Sequence, residues 1–182
     1  TPGANGLIAW SRPYFFMPSQ IWVMKPDGTD KHQLTNSTSN VLDPAWSPGH
    51  AAEALRRLTA RASSEIGLVL LEQRVMAGVG NLYKTEVCFL RGLSPWTLTR
   101  DVPDPPGVIA LARKLLLRNA DRPEQTTTGE LGRGRQHWVF ERAGQRCRRC
   151  GTRIRTAPQG DGVYARVAYW CPTCQPGPAP AR

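Results

Sequence analysis

Cys147-Arg-Arg-Cys150 and, after twenty residues, Cys171-Pro-Thr-Cys174 decide how the second half of this chain folds. Two Cys-x-x-Cys pairs at that separation fall within the spacing of four-thiolate zinc sites. Zn²⁺ has no d-electron preference, so four thiolates close a tetrahedron around it with Zn–S of about 2.3 Å. Each x-x pair lets two sulfurs of one tight turn reach the same ion, and the segment between the pairs must double back as a hairpin. No fifth donor lies nearby. The pattern therefore predicts one closed, structural Zn²⁺ held by Cys147, Cys150, Cys171 and Cys174. The competing reading is two disulfides in a secreted protein; a redox dithiol is disfavoured because two such pairs are present. The odd cysteine, Cys88, sits in the run Val87-Cys88-Phe89-Leu90 and reads as a buried small hydrophobe.

Outward from the cysteines, charge is unevenly placed. Of 182 residues with a net charge of +10, residues 1–50 hold three basic groups (Arg12, Lys25, Lys31) and three acidic ones (Asp27, Asp30, Asp43). The whole excess thus lies in 51–182, and four zinc-bound thiolates would lower it to about +8. A neutral head on a basic body suggests two pieces, the second facing a polyanion. The alternative is a solvated basic surface without a partner. No apolar run reaches about 18 residues and no signal-peptide pattern is present, so neither membrane nor export is expected. A chain that starts at Thr1 is expected to be a fragment.

Between head and cysteines the periodicity is helical. Ala51 to Ala60 places Leu55 and Leu58 inward and Arg56 and Arg57 outward. A second helix is expected from Ser64, as N-cap, to Gln73 or Arg74, apolar nearly all round and therefore central. Then comes Met76-Ala-Gly-Val-Gly-Asn-Leu-Tyr-Lys84. Gly78 and Gly80 permit tight turns and close backbone approach. Asn81 reads as the N-cap of a helix running to Leu90 and ended by Gly92. A helix start offers free N–H groups and positive potential, which suits a phosphate, and Lys84 is expected to add charge there. Alone, this stretch is more often an ordinary helix connection. A third helix, Pro106 to Arg118, buries Val108, Ile109, Ala112, Leu115 and Leu116. The loop from Asn119 to Gln136 carries no readable code.

In the head, short apolar runs alternate with turns: Leu7–Ser11, Gln20–Met24, His32–Leu34 and Leu42–Trp46. Pro26-Asp27-Gly28 supplies the φ values of a turn. Ile21-Trp-Val-Met-Lys-Pro-Asp-Gly-Thr29, Gln33-Leu-Thr35 and Pro44-Ala-Trp-Ser-Pro48 resemble one blade of a TolB-like β-propeller, over residues 6–48. A ring needs about four to eight blades, so a propeller that recruits a partner fails on blade count. The segment reads as a four-stranded sheet or a fusion remnant.

The more specific resemblance lies further on. Leu70-Leu-Glu-Gln73, Gly78-Val-Gly-Asn-Leu-Tyr83 and Glu86 resemble the helix–two-turns–helix domain of the formamidopyrimidine-DNA glycosylase/endonuclease VIII family. Trp138-Val-Phe-Glu-Arg-Ala-Gly144, the four cysteines and Arg166-Val-Ala-Tyr-Trp-Cys-Pro-Thr-Cys-Gln175 resemble that family's C-terminal zinc finger. Thr127-Thr-Gly129 and Trp138 are nearest the endonuclease VIII-like branch, and the resemblance spans residues 50–176. It implies that Asn81 grips a phosphate near the damaged nucleotide and that Arg166, five residues before Cys171, grips the same backbone stretch. Physical chemistry agrees: one is an amide at a helix start, the other a charged fork on a metal-held loop.

The family's chemistry belongs to an N-terminal β-sandwich whose first residue, a proline, attacks the sugar with its amine and is followed by a catalytic glutamate. Here Pro2 follows Thr1 through an amide and the first acidic residue is Asp27, so the catalytic domain is expected to be missing and no residue is assigned as catalytic.

The fold expected is mainly α with a small β zinc-ribbon hairpin, behind a single propeller-like blade. The parts are a blade at 1–48, a helix–two-turns–helix domain at 50–120, a finger at 137–176 and a disordered tail at 177–182. The function expected is that of a base-excision repair protein, a monomer without small-molecule substrate. It would bind duplex, damaged or abasic DNA through Asn81, Arg166, Lys84, Gly80 and finger arginines including Arg148 and Arg149. The resemblance implies bacterial cytoplasm and the nucleoid. Two alternatives stay open: an active bifunctional glycosylase and abasic-site lyase using Lys84 or the terminal amine, and an RNA-binding zinc ribbon.

Overall fold

The computed structural model describes residues 8–14, 17–25, 27, 29–33, 48–120, 124–162 and 165–180. The chain divides into two units, Thr1–His50 and Ala51–Arg182.

In the first unit, β1 (Ile8–Tyr14), β2 (Met17–Met24) and β3 (His32–Gln33) form an antiparallel sheet in that order. Ile8 pairs with Met24 and Tyr14 with Met17, and the register shifts between Arg12 and Tyr14. Pro13 lies at that shift, where a residue without an N–H interrupts the ladder. Beyond β2, the Asp27 carboxylate accepts from the Thr29 amide at 2.9 Å and its hydroxyl at 2.6 Å. The first two strands run longer than the sequence pattern predicts. The fourth expected run, Leu42–Trp46, lies outside the described residues, as do Pro2, Pro26 and Gly28. Three antiparallel strands are common to many β folds and lend the blade resemblance no support.

The second unit is mainly helical with one two-stranded sheet. Its helices are α1 (Pro48–Thr59), α2 (Ile66–Leu71), α3 (Asn81–Leu90) and α4 (Pro105–Asn119). A 3₁₀ turn (Thr99–Asp101) precedes α4, and β4 (Arg155–Gln159) pairs antiparallel with β5 (Arg166–Trp170). In α1, Ala54 and Leu58 are buried while Arg56 and Arg57 turn outward onto Glu53, at 2.7 and 2.6 Å. Those two guanidiniums draw the Glu53 carboxyl down to about 2.

The second helix is shorter than its pattern suggests, and Ser64 does not cap it. Glu65 holds the N-cap position in extended backbone, without a side-chain cap. The neighbouring chain does that work instead: Ile66 N–H donates to the Thr97 carbonyl at 2.8 Å and Gly67 N–H to the Pro95 carbonyl at 2.9 Å. Beyond Leu71, the Gln73 side chain accepts from Gly78 N–H at 2.9 Å and donates to the Val79 carbonyl at 3.0 Å. One amide side chain thus folds the turns between α2 and α3. Gly78, with φ +84°, takes the left-handed step they need.

Gly80, not Asn81, is the N-cap of α3, and Asn81 is its first helical residue. The helix ends as expected: Gly92 has φ +68°, and Leu93 N–H reaches the Cys88 carbonyl at 2.8 Å. The fourth helix starts at Pro105 because Asp104 caps it, accepting from Gly107 N–H at 2.9 Å.

Within the second unit the helices and the hairpin share buried contacts. Phe89 of α3 shares a buried cluster with Val139, Cys147, Ile154 and Cys171. Trp96 packs with Ala168 and Trp170, the two indoles 4.7 Å apart and edge to face. The first tail residues are also held, since the Ser94 hydroxyl donates to the Pro178 carbonyl.

Candidate functional site

The hairpin of β4 and β5 brings the two Cys-x-x-Cys turns together, so that the four sulfurs all lie within 4.8 Å of one another. Cys147 and Cys174 are 3.9 Å apart, and Cys150 and Cys171 3.4 Å. A tetrahedron with metal–sulfur bonds of about 2.3 Å has edges of about 3.8 Å, so the spacing fits one ion. Each turn is shaped for the task. In the first, Gly151 (φ +77°) returns its N–H to the Cys147 carbonyl at 2.9 Å, and Arg149 N–H points at the Cys147 sulfur at 3.4 Å. In the second, buried Gln175 accepts from Cys171 N–H at 2.9 Å and donates to the Leu93 carbonyl at 2.8 Å, tying the knuckle to the chain beyond α3. Hydrogen bonds from Thr152 draw the Cys150 thiol down to about 6, whereas burial pushes Cys171 and Cys174 up. Four adjacent thiolates need a cation among them. Cys88 lies elsewhere, fully buried, its thiol pushed up to about 12 by that burial.

The same hairpin reaches the start of α3. The Asn81 side-chain amide donates to the Val167 carbonyl at 2.9 Å. Arg166 is the residue before Val167 and the first of β5; it is exposed, with one guanidinium N–H on the Ala165 carbonyl at 2.9 Å. Asn81 and Arg166, 85 positions apart in sequence, therefore share one edge of the molecule. Gly80, next to Asn81, is exposed, and a β-carbon built on it would meet nothing within 4 Å. Backbone can approach closely there.

Lys84 corrects the sequence reading. It is completely buried, its ammonium 3.4 Å from the Gln159 side-chain oxygen, and burial lowers its pKa to about 8. The amine adds no surface charge and reaches no solvent. A residue one turn into a helix can point either way, and here packing against β4 turns it inward. Arg148 and Arg149 are exposed but employed: Arg148 donates to the Gly134 carbonyl at 2.6 Å and the His137 carbonyl at 3.1 Å, and Arg149 stacks on the Phe89 ring at 4.4 Å.

Three buried polar groups that spacing did not mark complete the site. Glu86, 0% exposed, accepts from the backbone N–H groups of Trp138, Val139 and Phe140, each at 2.8 Å, and from the Thr127 hydroxyl. It pins the approach to the finger onto α3. Gln159 and Gln175 do likewise at β4 and at the second knuckle. Beside α3 lies a cleft of about 570 Å³, lined by Leu82, Gln136, His137, Phe140 and Arg142 among others.

No family model matches the chain. The probable endonuclease 8 2 of Streptomyces coelicolor is 48% identical over 143 residues, which cover 78% of this chain and 50% of that protein. The DNA-(apurinic or apyrimidinic site) lyase Nei2 of Mycolicibacterium smegmatis is 44% identical over 148 residues, 81% of this chain and 56% of the relative. The MutM (Fpg) protein of Thermus thermophilus shares the fold with a TM-score of 0.59, at 21% identity, over 96% of this chain and 78% of that one. Lactococcus lactis Fpg in complex with DNA containing an abasic site matches with a TM-score of 0.51, at 25% identity, over 70% of this chain and 48% of that one. The chain spans about half the length of the curated relatives it matches.

Proposed function

We propose that this chain, which belongs to the formamidopyrimidine-DNA glycosylase/endonuclease VIII family over about three quarters of its length, grips the sugar-phosphate backbone of duplex DNA at a damaged or abasic site. The observation that carries the reading is the bond from Asn81 to the Val167 carbonyl, which sets a helix start and an exposed arginine side by side. The helix start offers unpaired amides and the positive end of a dipole to one phosphate oxygen. Arg166 offers a charge-assisted fork to the next. Gly80 leaves room for the strand to come close. Such contacts fix position without reading sequence.

The metal in this reading is one structural Zn²⁺, since four thiolates and no oxygen or nitrogen donor make a soft set with no position for a reacting water. Its part is to stiffen the loop that carries Arg166. Lys84 drops out of the contact set because it is buried, and the finger's remaining arginines supply the long-range attraction. The relatives named for endonuclease or lyase action are about twice the matched length, and for the residues present here the reading is confined to binding.

The test is a salt titration of binding to a short duplex carrying an abasic analogue. Log affinity is expected to fall with log salt at about −0.9 per phosphate neutralised. Affinity independent of salt, or equal affinity for a structured RNA, would dispose of the reading.

A further inference from the structure

Lys84 leaves the surface but does not leave the site. Its ammonium meets the side-chain oxygen of Gln159, the last residue of β4, which is 2% exposed. The amide nitrogen of Gln159 donates to the Glu65 carboxylate at 2.9 Å and to the Pro95 carbonyl at 2.8 Å. Both ends of this amide are therefore committed to the helical part of the unit. In the hairpin register, Gln159 stands directly across from Arg166. Next to Arg166 is Val167, whose carbonyl receives Asn81, and Asn81 is one turn before Lys84 on α3. The contacts close a ring: Asn81, Val167, Arg166, Gln159, Lys84 and back along the helix.

Gly67 of α2 shows how tightly the ring is fitted. A β-carbon there would collide with the Gln159 amide. The amide of Gln159 thus fills the space that a side chain at position 67 would take, with its oxygen also 3.4 Å from the Lys84 ammonium. Arg166 on an ordinary hairpin would swing with the strands, and a flexible grip loses affinity to the entropy of being ordered. Fixing its partner in register at two points removes much of that motion.

We propose that Lys84 is a positioning residue, acting through Gln159 to hold Arg166 at a fixed distance from Asn81. The proposal rests on the phosphate-gripping reading and adds to it a buried amine that never touches the ligand. Burying an ammonium is costly, and hydrophobic residues of similar length would pack as well. What methionine at this position cannot do is hold the Gln159 oxygen.

The experiment is a double-mutant cycle with the full chain, using duplex DNA carrying an abasic analogue at several salt concentrations. Helical circular dichroism and metal content report folding. Lys84→Met is expected to weaken binding about tenfold and to flatten the salt slope by about one phosphate contact. In an Arg166→Ala background the same change should have little further effect, because the two act on one contact. Weakening in both backgrounds by the same factor, with the slope unchanged, would overturn the proposal and leave Lys84 a merely stabilising residue. So would normal binding by Lys84→Met when Arg166→Ala binds weakly. Normal binding by Arg166→Ala itself would instead bring down the phosphate-gripping reading, and this proposal with it. If Lys84→Met fails to fold, Gly67→Ala displaces the same amide from the opposite side and is read by the same criteria.

Discussion

Asn81 donates its side-chain amide to the Val167 carbonyl at 2.9 Å across 86 residues of sequence. A hydrogen bond of this kind contributes about 1 kcal/mol to stability. Its larger effect is geometric, because it joins a helix start to the strand that leads into the second Cys-x-x-Cys turn, Val167 being the second residue of β5. The Asn81 side-chain oxygen is buried and, among the described residues, has no partner. The amide is therefore oriented by its nitrogen, with a second N–H left to offer.

Replacing either gripping residue should weaken binding without altering sequence preference. Asn81→Ala and Arg166→Ala are each expected to lower duplex affinity about five- to twentyfold, uniformly across unrelated duplexes. Fluorescence anisotropy with three sequences of equal length checks this. A loss confined to one of them would contradict a backbone grip.

Chelation should damage more than the finger. Apparent binding energies for four-thiolate zinc sites are about 10–16 kcal/mol, so removing the ion unfolds the hairpin. A helical domain with its own core would outlast that loss, but Phe89 of α3 is buried against Val139, Ile154 and the cysteines. Strong chelator is accordingly expected to abolish DNA binding and to lower the helical melting temperature as well. Circular dichroism at 222 nm through a thermal ramp, with and without chelator, is the measurement.

Glu86 predicts a large stability effect far from any ligand contact. Glu86→Ala would strand three backbone N–H groups, that of Val139 buried and those of Trp138 and Phe140 half-buried, at a cost of about 3–5 kcal/mol. Glu86→Gln keeps an acceptor and should cost less. Urea denaturation of the two variants separates these outcomes, and a nearly neutral Glu86→Ala would refute the bonding seen here.

The buried amine gives a signed pH dependence. Lys84 is lowered from its ordinary value to about 8 in the folded chain. Between that value and about 10.4, the unfolded chain binds the extra proton, so this group makes stability rise with pH. Below about 8 both states are charged and the burial penalty is complete. Cys88, pushed up to about 12, acts in the opposite direction above pH 9. The amine is isolated by comparing wild type with Lys84→Met: the variant's advantage should shrink by about 1 kcal/mol for each unit of pH from 8 to 10. A constant difference would mean that Lys84 keeps its ordinary pKa.

The gathering of the four cysteines was legible because Cys-x-x-Cys spacing states its own geometry. Val108, Ile109, Ala112 and Leu115 were legible as core because helical periodicity marks one face. Lys84 was not, since periodicity assigns charge to the outside and nothing in the spacing of Asn81 and Lys84 reveals what β4 brings to them. Gln73 and Gln175 stood in the resemblance motifs without a role, and Gln159 was unmarked, for a related reason: an amide side chain is ordinary on a surface, and only the fold shows that each is buried or bracing a turn. The cap at Asp104 was missed although Asp-Pro-Pro-Gly announces it. The start of α2 was misjudged because the turn at Pro95–Thr97, rather than Ser64, supplies its first acceptors.

The stacking of Phe89 with Trp138, at 5.8 Å, and with Arg149, at 4.4 Å, bears on protein engineering. The ring they share belongs to α3, so a finger excised at residue 137 would expose Trp138 and Val139 to water. Transplanting this module onto a foreign scaffold would require carrying an aromatic platform along with the cysteines, and a graft made from the metal ligands alone should aggregate.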